Sequence, residues 1–161
     1  MYKRQHLEFL LNHAIAVLKI EIEENEEGLE LIKSCWKYVV KNGFEETYPE
    51  GYYTVLHDLA NAYRKLNFLD SARVYTRIGL VNEQIRSDGI NYNRFLLLNG
   101  ILESYLDRYD ESKKQLTKAV SKFEDTRDYN LLFAGYYFLG KTNLLSGNKV
   151  EGLEYLSLIH I

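Results

Sequence analysis

The chain has 161 residues, of which 46% are hydrophobic, 27% charged and 14% aromatic, and its formal net charge is −3. Such a length holds one domain with a core, or about four units of a repeat protein. The acidic balance argues against nucleic acid as a partner of this segment, since phosphate binding draws on clustered Lys and Arg. The single cysteine excludes an internal disulfide, and no apolar run approaches the roughly 18 residues of a membrane span.

The first five residues, Met1 to Gln5, and the last six, Leu156 to Ile161, read as translated transposon-adaptor sequence. The codons GTG-TAT-AAG-AGA-CAG, with GTG as a start, spell the first string, and CTG-TCT-CTT-ATA-CAC-ATC spell the second. These are the transposon end used in tagmentation libraries and its reverse complement. The natural segment is then expected to span residues 6–155 and to be cut at both ends, and the scars are set aside in reading the fold. Without its own start the compartment stays open, with the cytoplasm favoured.

Taken in chain order, a largely apolar helix is expected from Leu7 to Ile22. An acidic run, Glu21 to Glu27, follows as a solvated helix start, with Asn25 as a candidate cap for a second helix carrying Leu29, Ile32, Cys35, Trp36 and Val39. Cys35, flanked by apolar residues, is expected to be a buried small side chain and not a reactive thiol. Asn42-Gly43 ends that helix with residues that tolerate positive φ. Thr47-Tyr48-Pro49-Glu50 opens the next, Thr47 capping it and Glu50 completing a capping box. Val55, Leu56, Leu59, Ala60, Ala62 and Tyr63 form its apolar side. After a turn at Asn67, where Phe68 or Leu69 plugs the hairpin, Ala72, Tyr75, Ile78, Gly79 and Val81 line the partner helix, which Ser87-Asp88-Gly89 closes. A third pair runs from Asn91 to Leu106 and from Tyr109 to Phe123. A fourth runs from Asn130 to Leu145, then restarts at Asn148 with Glu151 three residues on.

A repeat of 40 residues underlies these elements. Ala60, Gly100 and Gly140 are small at one phase, Ala72, Ser112 and Gly152 at another, and Asn67, Asp107 and Gly147 supply turn residues at a third. Small residues at fixed phases mark places where one helix approaches its neighbour closely, and a period in the range of about 20–50 residues marks stacked units. Loops of about three to six residues suit antiparallel neighbours.

The residues Leu59-Ala60-x-x-Tyr63 with Asp70-Ser71-Ala72, Tyr109-Asp110-Glu111-Ser112 with Leu116 and Ala119, and Leu139-Gly140, Gly147 and Glu151-Gly152-Leu153-Glu154-Tyr155 resemble tetratricopeptide repeats. Asn25 to Glu30 with Ile32 and Cys35 resembles the second half of a degenerate fourth copy. The period of 40 exceeds the family's usual length, and Leu56, Leu96 and Tyr136 stand where the family has an early Trp. The resemblance implies an all-α, right-handed solenoid of about four antiparallel helix pairs, truncated at both ends, with units at about 6–42, 47–86, 91–125 and 129–155. It further implies a non-catalytic scaffold, part of a larger bacterial protein, that binds a protein or peptide in a concave groove. An alternative is the sensor or coupling segment of a bacterial transcriptional regulator whose DNA-binding module lies outside this stretch. On the family's pattern the outward groove positions are His57, Asn61, Arg64, Tyr137 and Lys141. A peptide-carboxylate clamp of Lys and Asn four apart is not expected, because His57 and Asn61 take that spacing here.

No catalytic, metal or cofactor constellation is read from the sequence. His6, His13 and His57 lack ligands at metal spacing, and the adjacent His57 and Asp58 are expected to point apart on a helix. Gly135 and Gly140 lie too deep in a helical pattern for a phosphate loop. Lys113, Lys114, Lys118 and Lys122 form a basic stripe on one helix, expected to be a solvated outer face. Most tyrosines are expected in the core or at its rim. An uncapped last helix is expected to leave apolar surface for self-association through the terminal helices.

Overall fold

The computed structural model describes residues 2–82 and 89–160. Among the described residues there are nine α-helices and no strand. They are α1 (Tyr2–Glu21), α2 (Asn25–Lys41), α3 (Phe44–Thr47), α4 (Pro49–Lys65), α5 (Leu69–Val81), α6 (Ile90–Tyr105), α7 (Tyr109–Thr126), α8 (Tyr129–Leu145) and α9 (Lys149–Ser157), followed by a 3₁₀ turn at Leu158–His160. The chain divides into two compact units, Met1–Ile85 and Arg86–Ile161.

In the first unit α1 packs on α2, α2 on α4, and α4 on α5, with the short α3 seated between α2 and α4. Its core is built from Phe9, Ala16, Ile32, Val39, Val55, Leu56 and Leu59, all buried. Phe44 anchors α3 there, edge-on to Phe9 at 5.6 Å and to Tyr38 at 5.7 Å. Trp36 packs on Tyr52 at 4.9 Å and on Tyr75 at 6.1 Å, and Tyr75 stacks on Tyr63 at 5.5 Å. In the second unit α6 packs on α7, α7 on α8, and α8 on α9, around Phe95, Leu102, Leu116, Phe123 and Leu139.

The small residues sit where helices cross. The Ser112 hydroxyl donates to the Gly100 carbonyl at 2.7 Å, so α6 and α7 touch backbone to side chain. A methyl group at Gly152 would lie 2.9 Å from the Gly140 carbonyl oxygen, and one at Gly140 would lie 3.0 Å from that of Gly152. Ala60 and Ala72 are fully buried. A fourth crossing has the same form: Ala16 is fully buried and a methyl at Gly28 would lie 3.1 Å from its carbonyl oxygen. In every case the two small residues are twelve apart in sequence.

Seven residues after the first member of each pair the backbone turns left-handed, at Glu23 (φ 69°), Asn67 (φ 62°), Asp107 (φ 57°) and Gly147 (φ 91°). The N–H groups of Phe68, Arg108 and Asn148 then reach back five residues to the carbonyls of Tyr63, Glu103 and Asn143, at 2.9, 2.9 and 2.8 Å. This closure satisfies the carbonyls that a helix end leaves without partners.

Several local expectations are corrected. Asn25 is the first residue of α2, not its cap; Glu24 holds the cap position, and the Asn25 side-chain oxygen is buried with no hydrogen-bond partner among the described residues. Thr47 does not cap α4: it ends α3, its hydroxyl bonds the Gly43 carbonyl at 2.9 Å, and Tyr48 takes the cap position ahead of Pro49. No side-chain bond forms at that cap, so the capping box is absent. Of the two residues expected to plug the turn, Phe68 is exposed and Leu69 is half-buried. On α5 Ala72 and Gly79 are buried as expected and Thr76 joins them, Tyr75 is half-buried, and Ile78 and Val81 face solvent. Ser87 and Asp88 lie outside the described residues; Gly89, with φ 75°, precedes α6.

Candidate functional sites

On α4, His57, Asp58, Asn61 and Arg64 recur over two turns beside the buried stripe and are half-buried themselves. Asp58 stands between two imidazoles. His13, from α1, brings Nε2 to 2.9 Å of one carboxylate oxygen, and His57 brings Nδ1 to 3.2 Å of the other. A carboxylate only accepts, so each of these nitrogens carries the proton in the bond. One turn on, the Asn61 side-chain oxygen accepts from Arg64 Nε at 3.0 Å and Nη2 at 2.8 Å. The cluster thus fixes the orientation of one imidazole from α1 and of one imidazole and one guanidinium on α4.

His57 and Asp58, expected to point apart, lie within hydrogen-bond distance, and His13 makes a contact to Asp58 that no sequence spacing marked. Its cause is tertiary: α1 packs against α4 and brings His13 to a residue 45 positions away. Among the described residues no three His, Cys, Asp or Glu side chains are arranged to hold a metal ion.

The second unit carries Tyr137 and Lys141 on α8. Lys141 Nζ lies 4.8 Å from the centre of the Tyr105 ring and 5.9 Å from that of Phe138. Tyr137 meets Phe138 edge-on at 5.1 Å. Contacts of this type contribute about 0.5–1 kcal/mol at exposed sites and hold the ammonium group in place. Tyr105, the last residue of α6, and Phe138 are members of this cluster that the sequence pattern did not mark. The five residues assigned to a groove therefore form two clusters, His57, Asn61 and Arg64 in one unit and Tyr137 and Lys141 in the other.

A depression of about 480 Å³ lies elsewhere, lined by Asp107, Arg108, Tyr109, Asp110, Glu111, Leu145 and Ser146. Tyr109 donates its hydroxyl to Asp107 at 2.6 Å, and Arg108 reaches the buried Glu103 at 3.3 Å. None of the five groove residues lines it.

The lysine stripe on α7 is neutralised locally. Lys113, Lys114 and Lys122 each lie 3.5 Å from a carboxylate three residues away, Asp110, Glu111 and Asp125. Lys118 lies 5.3 Å from the centre of the Tyr92 ring. Behind this face a buried hydroxyl chain joins three helices: Thr142 donates to Ser104 at 2.9 Å and meets Ser112 at 3.3 Å. Cys35 is buried, and burial pushes its thiol up to about 11. Of the described tyrosines, Tyr48, Tyr105, Tyr129 and Tyr137 are the exposed ones. Among the described residues no helix is long and apolar enough to cross a membrane.

No protein-family model matches the chain, and no curated protein sequence matches it.

Proposed function

We propose that the chain is a tetratricopeptide-like solenoid of antiparallel helix pairs whose work is non-catalytic binding of a protein or peptide. The observation that carries this reading is the fourfold recurrence of one unit: two small residues twelve apart at a helix crossing, with a left-handed residue seven after the first. A fixed unit repeated in tandem builds an extended surface and not an enclosed pocket, and such surfaces serve recognition.

Both polar clusters support it. His57, Asn61 and Arg64 sit on α4, and Tyr137 and Lys141 on α8, each the first helix of its pair. Amide, imidazole and cationic groups held in fixed orientations grip peptide backbone and carboxylates, and an exposed tyrosine supplies flat contact area.

The test is selection of peptides from a displayed library on the immobilised chain, followed by affinity measurement on two variants. One carries His57→Ala, Asn61→Ala and Arg64→Ala; the other carries Tyr137→Ala and Lys141→Ala. Each is expected to lose about tenfold in affinity, or about 1.4 kcal/mol. Selected peptides that bind both variants as tightly as the parent would place recognition on another face.

A further inference from the structure

Two helix faces carry apolar side chains that the described chain does not cover. On α1, Leu7, Leu11 and Leu18 are 67%, 59% and 63% exposed, and their spacing places them within one arc of the helix. This stripe runs into Glu21, Glu23, Glu24, Glu26 and Glu27. Lys19 bridges Glu24 and Glu27, and Lys65 lies 3.4 Å from Glu21, so carboxylates outnumber cations there. On α8, Tyr129, Phe133 and Tyr137 follow one another every four residues and are 73%, 55% and 43% exposed. Lys141 stands one turn further on. Its ammonium group touches only aromatic rings: among the described residues no carboxylate is within ion-pair distance of it.

The two faces match in length, order and charge. From Leu7 to Glu21 is roughly 21 Å along the helix axis, and from Tyr129 to Lys141 roughly 18 Å. Each is apolar first and charged at its C-terminal end, acidic on α1 and basic on α8. We propose that the α8 face of one copy takes the α1 face of a second copy, with the two helices parallel. The aromatic rings then cover the leucines, and Lys141 meets the carboxylates at residues 21–24. Because the joined faces differ, the contact is heterologous. Each such contact joins the α8 face of one copy to the α1 face of another, so the assembled mass rises with concentration. This inference shares Tyr137 and Lys141 with the peptide-binding proposal, so a bound peptide and a second copy compete for that face, but its argument rests on exposure and charge and not on that reading.

Sedimentation equilibrium across the micromolar to millimolar range tests it, with far-UV circular dichroism confirming that each variant is folded. The mass of the parent chain is expected to rise with concentration. Leu18→Glu blocks the α1 face and Phe133→Glu the α8 face, so each variant alone is expected to remain monomeric. Mixed in equal amounts, the two retain one good face each and are expected to double in mass and stop there. Val74→Glu, at an exposed apolar position on α5, is expected to assemble like the parent. A parent that stays monomeric throughout, a mixture that stays monomeric, or a Val74→Glu variant as disrupted as the other two would overturn the proposal.

Discussion

Ser112 and Gly100 join α7 to α6 through a hydroxyl-to-carbonyl hydrogen bond of 2.7 Å, with both residues buried. The bond is possible because Gly100 has no Cβ. A methyl group there would lie 2.7 Å from Leu116 Cγ and 3.2 Å from the Leu116 backbone nitrogen. Leu116 is itself fully buried and cannot swing away.

Gly100→Ala is therefore expected to destabilise the protein although alanine is the better helix former by about 1 kcal/mol. Overpacking costs about 1–3 kcal/mol and exceeds that gain. Ser112→Ala removes the bond without crowding and is expected to cost about 1 kcal/mol. Urea unfolding midpoints decide both; a Gly100→Ala variant more stable than the parent would show that the helices do not approach this closely.

The left-handed turns make a second prediction. Arg127 (φ 56°) and Glu23 (φ 69°) hold a conformation that costs an L-residue roughly 1–2 kcal/mol. Replacement by glycine removes that cost but adds entropy to the unfolded chain, so Arg127→Gly and Glu23→Gly are each expected to stabilise by about 0.5–1 kcal/mol. Gly147→Ala, at φ 91°, is expected to destabilise by about 1 kcal/mol. Thermal melts of the three variants should therefore shift in opposite directions.

Tyr53 is buried, and among the described residues its hydroxyl has no hydrogen-bond partner. Burial, with Glu45 and Tyr52 nearby, pushes the phenol up to about 12. Tyr53→Phe removes a desolvated hydroxyl that gains nothing in return, and is expected to leave stability unchanged or raise it by up to about 1 kcal/mol. A loss of more than that would reveal a partner for the hydroxyl.

Cys35 links stability to alkaline pH. Its thiol ionises at about 11 in the folded chain against 9.0 for an unperturbed thiol. The folded state therefore holds the proton longer than the unfolded state. Stability is complete below pH 9 and falls as pH rises through the window up to about 11, by about 1 kcal/mol at pH 10. Cys35→Ala is expected to flatten this alkaline limb relative to the parent. An unchanged slope would mean that the thiol ionises alike in both states.

The helical architecture and three of the four crossings were legible because the requirement for a small side chain recurs at a fixed interval. The crossing at Ala16 and Gly28 was legible only in its second half, around Gly28, because it stands 44 residues before the next one, not 40; the four surplus residues match the length of α3. Cap assignments failed where one more helical turn formed, as at Thr47. On α5 the small residues Ala72 and Gly79 are buried as expected, whereas Ile78 and Val81 are apolar but lie off the buried arc and face solvent. Of the two clusters, the members on one helix could be read from spacing. The partners supplied by another helix, His13 to Asp58 and Tyr105 to Lys141, could not, since only packing brings them together.

The short helix α3 separates two quantities that a uniform repeat confounds. The interval of twelve between crossing residues is set by contact within one helix pair, while the distance to the next pair depends on a junction that can lengthen without moving either crossing. Chains built on this plan need share no common period; what relates them is a spacing rule of small, left-handed and small residues at steps of seven and five.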